Sequence, residues 1–231
     1  MCGRYSLTQM QGLTKRFLLN EDRAKVSALL KLFNIAPTEE APVVIEEDGR
    51  RILTNMTFGL VPSWAKDVKI GAQCINARAE TVAEKPAFKD AFRRRRCLVA
   101  TDGYYEWKHE GKAKIPYRVT MKDDGLFAFA GLWDRWTRPD GKELQSFTII
   151  TTDTNGLTKE FHDRMPVIVA PENESLWLAP YVTEIKTLQP LLKPYDPAAM
   201  KLTRVSPLLN KATNKGPDVL KPAEENPELN L

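Results

Sequence analysis

A chain of 231 residues with 42% hydrophobic and 28% charged residues has the composition of a globular protein that buries its own core, as one long domain or two short ones. No apolar run approaches the roughly 18 residues of a membrane span, and the N-terminus lacks the basic, apolar and cleavage regions of a secretory signal, so a cytoplasmic, reducing location is expected. A net charge of +4 is compatible with nucleic acid without requiring it, and three cysteines without a C-x-x-C pair beside two histidines encode neither a disulfide framework nor a zinc site, so no metal or cofactor is expected.

The chain opens Met1-Cys2-Gly3-Arg4-Tyr5. Removal of Met1, which a small second side chain favours, would leave Cys2 carrying an α-amine and a thiol on one residue. Such an amine has a reference pKa of about 7.7–8.0, against about 10.4 for lysine, so a useful fraction is neutral at pH 7. It can form an imine with an aldehyde, and the thiol can then add to the imine carbon and close a five-membered thiazolidine. The alternative is a packed small hydrophobe, the common state of a free cysteine.

From Ser6 onward, Leu7, Met10, Leu13, Phe17 and Leu18 recur at helical spacing, which predicts a helix directly after the Cys2 segment. A second helix is read around residues 26–30. Asn34-Ile35-Ala36-Pro37-Thr38 reads as extended, because Pro37 excludes the helical region for Ala36. Residues 43–45 and 52–60 flank Asp48-Gly49 as a β-hairpin. That hairpin runs into Pro62-Ser63-Trp64, where Trp64 either stacks on a base or covers the edge of the core.

Residues 75–81 lead into a helical stretch reaching Phe92, broken near Pro86. Asn76 and Arg78 then fall at a strand end or loop beside a helix N-terminus, where amides and a guanidinium can hold a phosphate. The run Arg93-Arg94-Arg95-Arg96 is either a phosphate-binding stripe or a partly solvated face. From Cys97 the pattern is β-rich, with strands predicted at 98–100, 104–108, 117–121, 126–130, 147–151 and 167–170. Turn signals separate them at Asp102-Gly103, Glu110-Gly111, Asp124-Gly125 and Asp140-Gly141. Helices are read at 172–178 and 183–192, and a returning strand at 200–206. The implied fold class is α+β, a curved, mostly antiparallel sheet or distorted barrel with peripheral helices. Residues 1–215 read as a single domain, and the Pro- and Glu-rich residues 216–231 as a flexible tail.

Two further segments offer chemistry. In Thr101-Asp102-Gly103-Tyr104-Tyr105-Glu106-Trp107 a strand would project Glu106 to the face opposite Tyr105 and Trp107. On a cleft, apolar surroundings would raise its pKa and suit it to passing protons; on an exposed face it is an ordinary surface carboxylate. In Glu160-Phe161-His162-Asp163-Arg164-Met165-Pro166, His162 titrates nearest pH 7 and suits general acid–base work, although a loop histidine can also be purely structural.

Taken in order, Met1-Cys2-Gly3-Arg4-Tyr5, Asn34-Ile35-Ala36-Pro37, Ile75-Asn76-Ala77-Arg78-Ala79-Glu80, Asp102-Gly103-Tyr104-Tyr105-Glu106-Trp107-Lys108 and His162-Asp163-Arg164-Met165-Pro166 resemble the SRAP family, the SOS response-associated peptidase-like proteins that sense abasic sites in single-stranded DNA. The resemblance covers about residues 2–215 and is greatest to the bacterial single-domain form. It implies that Cys2 is the catalytic cysteine, joined through a thiazolidine to the ring-opened abasic sugar. It implies that Asn76 contacts that sugar, Glu106 assists crosslinking, and His162 orients the site and handles protons. Arg4, Arg78 and Arg164 match backbone-phosphate positions, and Pro37 and Trp64 fall where the family packs or stacks against flanking bases. At Trp64 the family often has a pair of aromatics, and here Ser63 precedes it. The implied partner is single-stranded DNA containing abasic sites, met by a monomer in the DNA damage response, with lyase chemistry available to the imine.

Two other readings stay open. In a hydrolase, the Cys2 thiol would attack an amide with the α-amine or His162 as base, as the peptidase in the family name suggests, on added peptides or on the protein's own end. A single-strand DNA-binding module would bind in a salt-sensitive way without a covalent step.

Overall fold

Residues 2–23 and 31–223 are described in a computed structural model of the protein. The N-terminal segment enters as strand β1 (Tyr5–Leu7), followed by helix α1 (Leu13–Phe17), β2 (Glu21–Asp22), β3 (Leu32–Ile35), and the hairpin β4 (Glu40–Glu47) and β5 (Arg50–Phe58). The middle of the chain supplies β6 (Asn76–Arg78), α2 (Lys89–Arg94), β7 (Arg96–Thr101), β8 (Gly103–Glu110), β9 (Ala113–Met121), β10 (Phe127–Thr137) and β11 (Glu143–Asp153). It ends with β12 (Arg164–Pro166), α3 (Glu174–Leu178), α4 (Ile185–Leu188) and β13 (Met200–Arg204).

The strands form a five-stranded sheet, β13-β9-β8-β1-β3, and an eight-stranded sheet along β12-β11-β10-β7-β4-β5-β2, with β6 added to β11. In the second sheet β5 also pairs in parallel with β11, Ser146 opposite Thr57 and Phe147 opposite Phe58, so the path β11-β10-β7-β4-β5 closes on itself. Closure encloses one face of these strands and other elements cover the second, β1, α2 and α3 packing on β7, so Val43, Val44 and Ile45 on β4 and Leu98, Val99 and Ala100 on β7 are buried as continuous runs. The fold is α+β, with a curved, mostly antiparallel sheet, a barrel-like closure and few helices. The hairpin forms where Asp48-Gly49 requires it, both residues at positive φ (51° and 72°), the geometry of a type I′ turn.

Several local expectations are corrected. Ser6 and Leu7 lie in a strand, not a helix: β1 sits between β3 and β8 with Tyr5, Ser6 and Leu7 all buried, and sheet pairing on both edges outweighs the helical spacing. The helix contracts to Leu13–Phe17 after a 3₁₀ turn at Met10–Gly12. Residues 79–88 are turns, so no helix begins beside Asn76 and Arg78, and α2 starts only at Lys89. The strand expected at 167–170 forms at Arg164–Pro166, with Ile168 making only an isolated bridge to Phe129. The tail expected from Gly216 is folded as far as residue 223: Pro217–Leu220 form a 3₁₀ turn whose Val219 is buried with Tyr105, Val205 and Leu209. The helix expected around 26–30, and residues 224–231, lie outside the described residues.

Asp102 secures β1. Its carboxylate, wholly buried, accepts from Ser6 Oγ (2.6 Å), from the Thr8 amide (2.5 Å) and hydroxyl (2.6 Å), and from the Gln9 amide (3.1 Å), and pairs with Arg118 at 2.7 Å. A buried charge survives only when it is so partnered. Asp102→Ala is therefore expected to lose about 3 kcal/mol, because it strands Arg118 and three donors on the β1 exit. Urea unfolding should show a lowered midpoint at unchanged m-value; an unaltered midpoint would contradict this account of β1.

Candidate active site

β1 places residues 2–5 in the middle of the five-stranded sheet. Tyr5 pairs with Ile35 on one side and Tyr104 on the other, and the Tyr105 amide donates to the Arg4 carbonyl at 3.0 Å. Cys2, just ahead, is fully buried. Asn76 reaches it from the other sheet, its Nδ2 donating to the Cys2 carbonyl at 3.1 Å and to its neighbour Ile75 at 2.9 Å. Asn76 is held in place by β6 pairing with β11, where it lies opposite Ile149.

Glu106 belongs to β8 and is 4% exposed, so the strand does turn it away from solvent. Burial raises its carboxyl from the ordinary 4.5 to about 7, and burial together with the Glu106 charge pushes the Cys2 thiol well above its ordinary value. Two buried polar atoms around this point lack a hydrogen-bond partner among the described residues: Glu106 Oε1 and Asn76 Oδ1. Unpaired buried polar atoms are costly in a folded chain, and their concentration here marks groups that a ligand can satisfy.

Glu106 and His162 open onto one cleft of about 350 Å³, shared with Gly3, Arg4, Trp107 and Lys114. His162 Nδ1 lies 3.0 Å from the Arg164 amide nitrogen and 2.6 Å from the Asp163 carboxylate, and burial lowers its pKa against the opposing pull of Asp163. Arg4 is aimed by Asn34, whose Oδ1 accepts from it at 2.7 Å, and its guanidinium lies over the Trp107 ring, as does the Lys114 ammonium (5.6 and 5.3 Å to the centroid). The cleft is thus lined by cations around an aromatic face, which suits an anionic chain with unpaired bases.

Of the nine residues singled out from sequence, the structure gathers Arg4, Glu106 and His162 on the cleft and joins Cys2 and Asn76 to each other. The other four lie outside the cleft lining. Pro37 occupies the tight turn Ala36–Glu39 after β3, with Thr38 at φ 75° and Glu39 ion-paired to Lys215. A β-branched residue at positive φ is strained, and the ion pair helps hold it. Trp64 is 56% exposed on a separate turn. Arg78 is exposed at the end of β6 and makes no ion pair among the described residues. Arg164 has its guanidinium bound by Glu80 (2.9 Å), Asp153 (2.8 Å) and the Thr151 carbonyl (2.6 Å), which fixes the His162 loop onto β11. Asn34, Trp107 and Lys114 were not reached from sequence as site residues; only Asn34's place before Ile35-Ala36-Pro37 carried any signal. No group of three metal-ligating side chains occurs among the described residues, and no helix among them is long and apolar enough to cross a membrane.

Comparison with known proteins places the chain among relatives of the same family and fold. The family model described as SOS response associated peptidase (SRAP) matches residues 1–212. The abasic site processing protein YoqW of Bacillus subtilis is 41% identical over 222 residues, covering 95% of this chain and 99% of that one. The abasic site processing protein HMCES of Mus musculus is 29% identical, covering 97% of this chain and 76% of that one. A crystal structure of a protein from Bacteroides thetaiotaomicron superposes with a TM-score of 0.87 at 32% identity, covering 96% of this chain and all of that one.

The raised Glu106 pKa has a consequence for stability. A carboxyl near 7 when folded and near 4.5 when unfolded binds its proton more tightly in the folded state, so its contribution is complete below about pH 4.5 and is lost as pH rises through 7. Glu106→Gln, which never ionises, is expected to be more stable than the parent at pH 8 by about 3 kcal/mol or less, with the difference closing at pH 5. Urea unfolding at both pH values checks this; a difference that does not change with pH would contradict a buried, pH-dependent carboxyl.

Proposed function

The chain belongs to the SRAP family, and from that premise we propose that it senses abasic sites in single-stranded DNA and joins them covalently through Cys2 once Met1 has been removed. The observation that carries this reading is a buried Cys2, gripped at its carbonyl by Asn76 and within the electrostatic reach of Glu106, itself a carboxyl poised near neutrality that shares one cationic cleft with His162.

The chemistry balances with these groups alone. The freed α-amine attacks the aldehyde carbon of the ring-opened sugar, and the carbinolamine loses one water to give an imine. The thiol then adds to the imine carbon: a C–S bond forms, and the thiol proton is transferred to nitrogen, closing the thiazolidine. Glu106 is suited to take the ammonium proton at the outset and to relay the thiol proton at the end, because a group titrating near ambient pH serves both directions. His162 is suited to hydrogen-bond the sugar oxygens or assist the loss of water. Asn76 Oδ1, without a hydrogen-bond partner among the described residues, offers an acceptor to a sugar hydroxyl. Holding the aldehyde beside Cys2 compensates for the scarcity of the open-chain form through effective concentration. Arg4 and Arg78 would carry backbone phosphates, with Pro37 and Trp64 against flanking bases, so sequence preference is slight.

The thiol's high pKa favours this reading over thiolate hydrolysis. A cysteine that attacks an amide is activated by a lowered pKa, whereas burial keeps Cys2 protonated. An amine-first route needs no thiolate at the start.

The test is incubation of Met1-trimmed protein with single-stranded DNA bearing one abasic site, followed by a denaturing gel. A denaturant-resistant band is expected for the parent and none for Cys2→Ala, while Glu106→Gln should form it about 100-fold more slowly. No band from the trimmed parent, together with turnover of added peptides, would replace this reading with the hydrolase.

A further inference from the structure

The run Arg93-Arg94-Arg95-Arg96 has no part in the cleft, and its four members differ sharply. Arg96 is buried and wholly structural, donating to the carbonyls of Phe92, Arg93, Trp177, Ala179 and Val182. It caps the C-terminus of α2 and ties it to the α3 segment. Arg93, Arg94 and Arg95 instead line an open depression of about 480 Å³ together with Ser63, Asp90 and Thr183. Arg95 pairs with Asp134 at 3.1 Å, while Arg93 and Arg94 are exposed and make no ion pair among the described residues, even with Asp90 on the preceding turn of their own helix.

The depression is coupled to the turn that carries Trp64. The Ser63 amide donates to Asp134 Oδ2 at 3.0 Å, on the same carboxylate that Arg95 engages, and Trp136 Nε1 donates to the Ala65 carbonyl at 2.7 Å. Two positions of β10, two residues apart, therefore fix the Ser63–Ala65 turn, which puts Ser63 in the lining of the depression and carries the exposed Trp64 as its next residue. The register relates the depression to the site: Asp134 lies opposite Ser146 and Asn76 opposite Ile149, about 10 Å apart along β11 at the rise of a strand, with β10 and β6 on opposite sides of that strand adding about 10 Å across it. An aromatic platform beside exposed cations is the composition of a surface that tracks a single strand by stacking and phosphate contact.

We propose that Ser63, Trp64, Arg93 and Arg94 form a second backbone-phosphate subsite, which receives single-stranded DNA a short distance beyond the nucleotide held at Cys2. This rests on the proposed abasic-site reading for what occupies the cleft, but the subsite binds undamaged strand. Arg95, neutralised by Asp134, orders the turn, and Asp90 limits the affinity of the subsite.

The experiment measures binding of a fluorescent, lesion-free single-stranded oligonucleotide to the full chain as a function of salt, alongside the covalent adduct formed with abasic DNA at saturation. Arg93→Ala/Arg94→Ala is expected to reduce the slope of log K against log salt by about 1.4, since each phosphate neutralised on a single strand contributes about 0.7. Arg93→Lys/Arg94→Lys should retain most of the slope, and Asp90→Asn should tighten binding. Adduct yield at saturating DNA should be unchanged in all of them, which also shows that they fold. An unchanged slope in the alanine variant, with adduct still formed, overturns the subsite and leaves the abasic-site reading standing. A reduced slope with no adduct even from the parent supports the subsite and overturns the covalent reading.

Discussion

The site depends on one buried carboxylate. Asp102 gathers donors from Ser6, Thr8 and Gln9 and the charge of Arg118, and so fixes the end of β1 at the point where β7 turns into β8. Gly103 shares in this constraint, because a side chain there would meet the Arg118 guanidinium at 2.6 Å. With its exit fixed, β1 becomes an inner strand bounded by β3 and β8, and the residues before it can take only one path, beneath Asn76 in the chain of hydrogen bonds and beside Glu106. A terminus held on one edge alone would fray. Pairing on both edges turns the first residues of the chain into a structural element.

Burial then sets the chemistry. The same enclosure that makes Cys2 inaccessible raises its thiol pKa and brings Glu106 to neutrality, so the two groups hold protons that in water they would hold at quite different pH. A thiol kept protonated next to a carboxyl that exchanges its proton near pH 7 is matched to addition across a C=N bond, in which the proton must move from sulfur to nitrogen. His162 completes the set through backbone geometry: Arg164, bound to Glu80 and Asp153, holds its own amide nitrogen 3.0 Å from Nδ1.

Much of the architecture was legible in the sequence. The Asp48-Gly49 hairpin, the strands separated by Asp-Gly and Glu-Gly turns, and the helices near 174 and 185 follow from local preferences that nothing in the fold opposes. The failures share a cause. At Ser6 and Leu7, helical spacing lost to sheet pairing on both edges; at 167–170, the strand slid to Arg164–Pro166, where β11 offered a partner; at Val219, the burial partners are Tyr105, Val205 and Leu209, one of them more than a hundred residues away. The arginine run shows the same limit at the level of single side chains, since four identical neighbours divide into one buried cap, one ion pair and two exposed guanidinium groups without an ion pair among the described residues.

The sequence by itself determined which chemical groups the protein possesses and their order: a cysteine at position 2, an asparagine, a glutamate between aromatics, one loop histidine, and motifs that identify the family. Only the tertiary structure decided their states and neighbours. The pKa of Glu106, the occupation of Arg164 by carboxylates and the sharing of a cleft by residues far apart in the chain arise from desolvation and non-local hydrogen bonds. Those energies belong to pairs of distant segments, and no local stretch of sequence carries them.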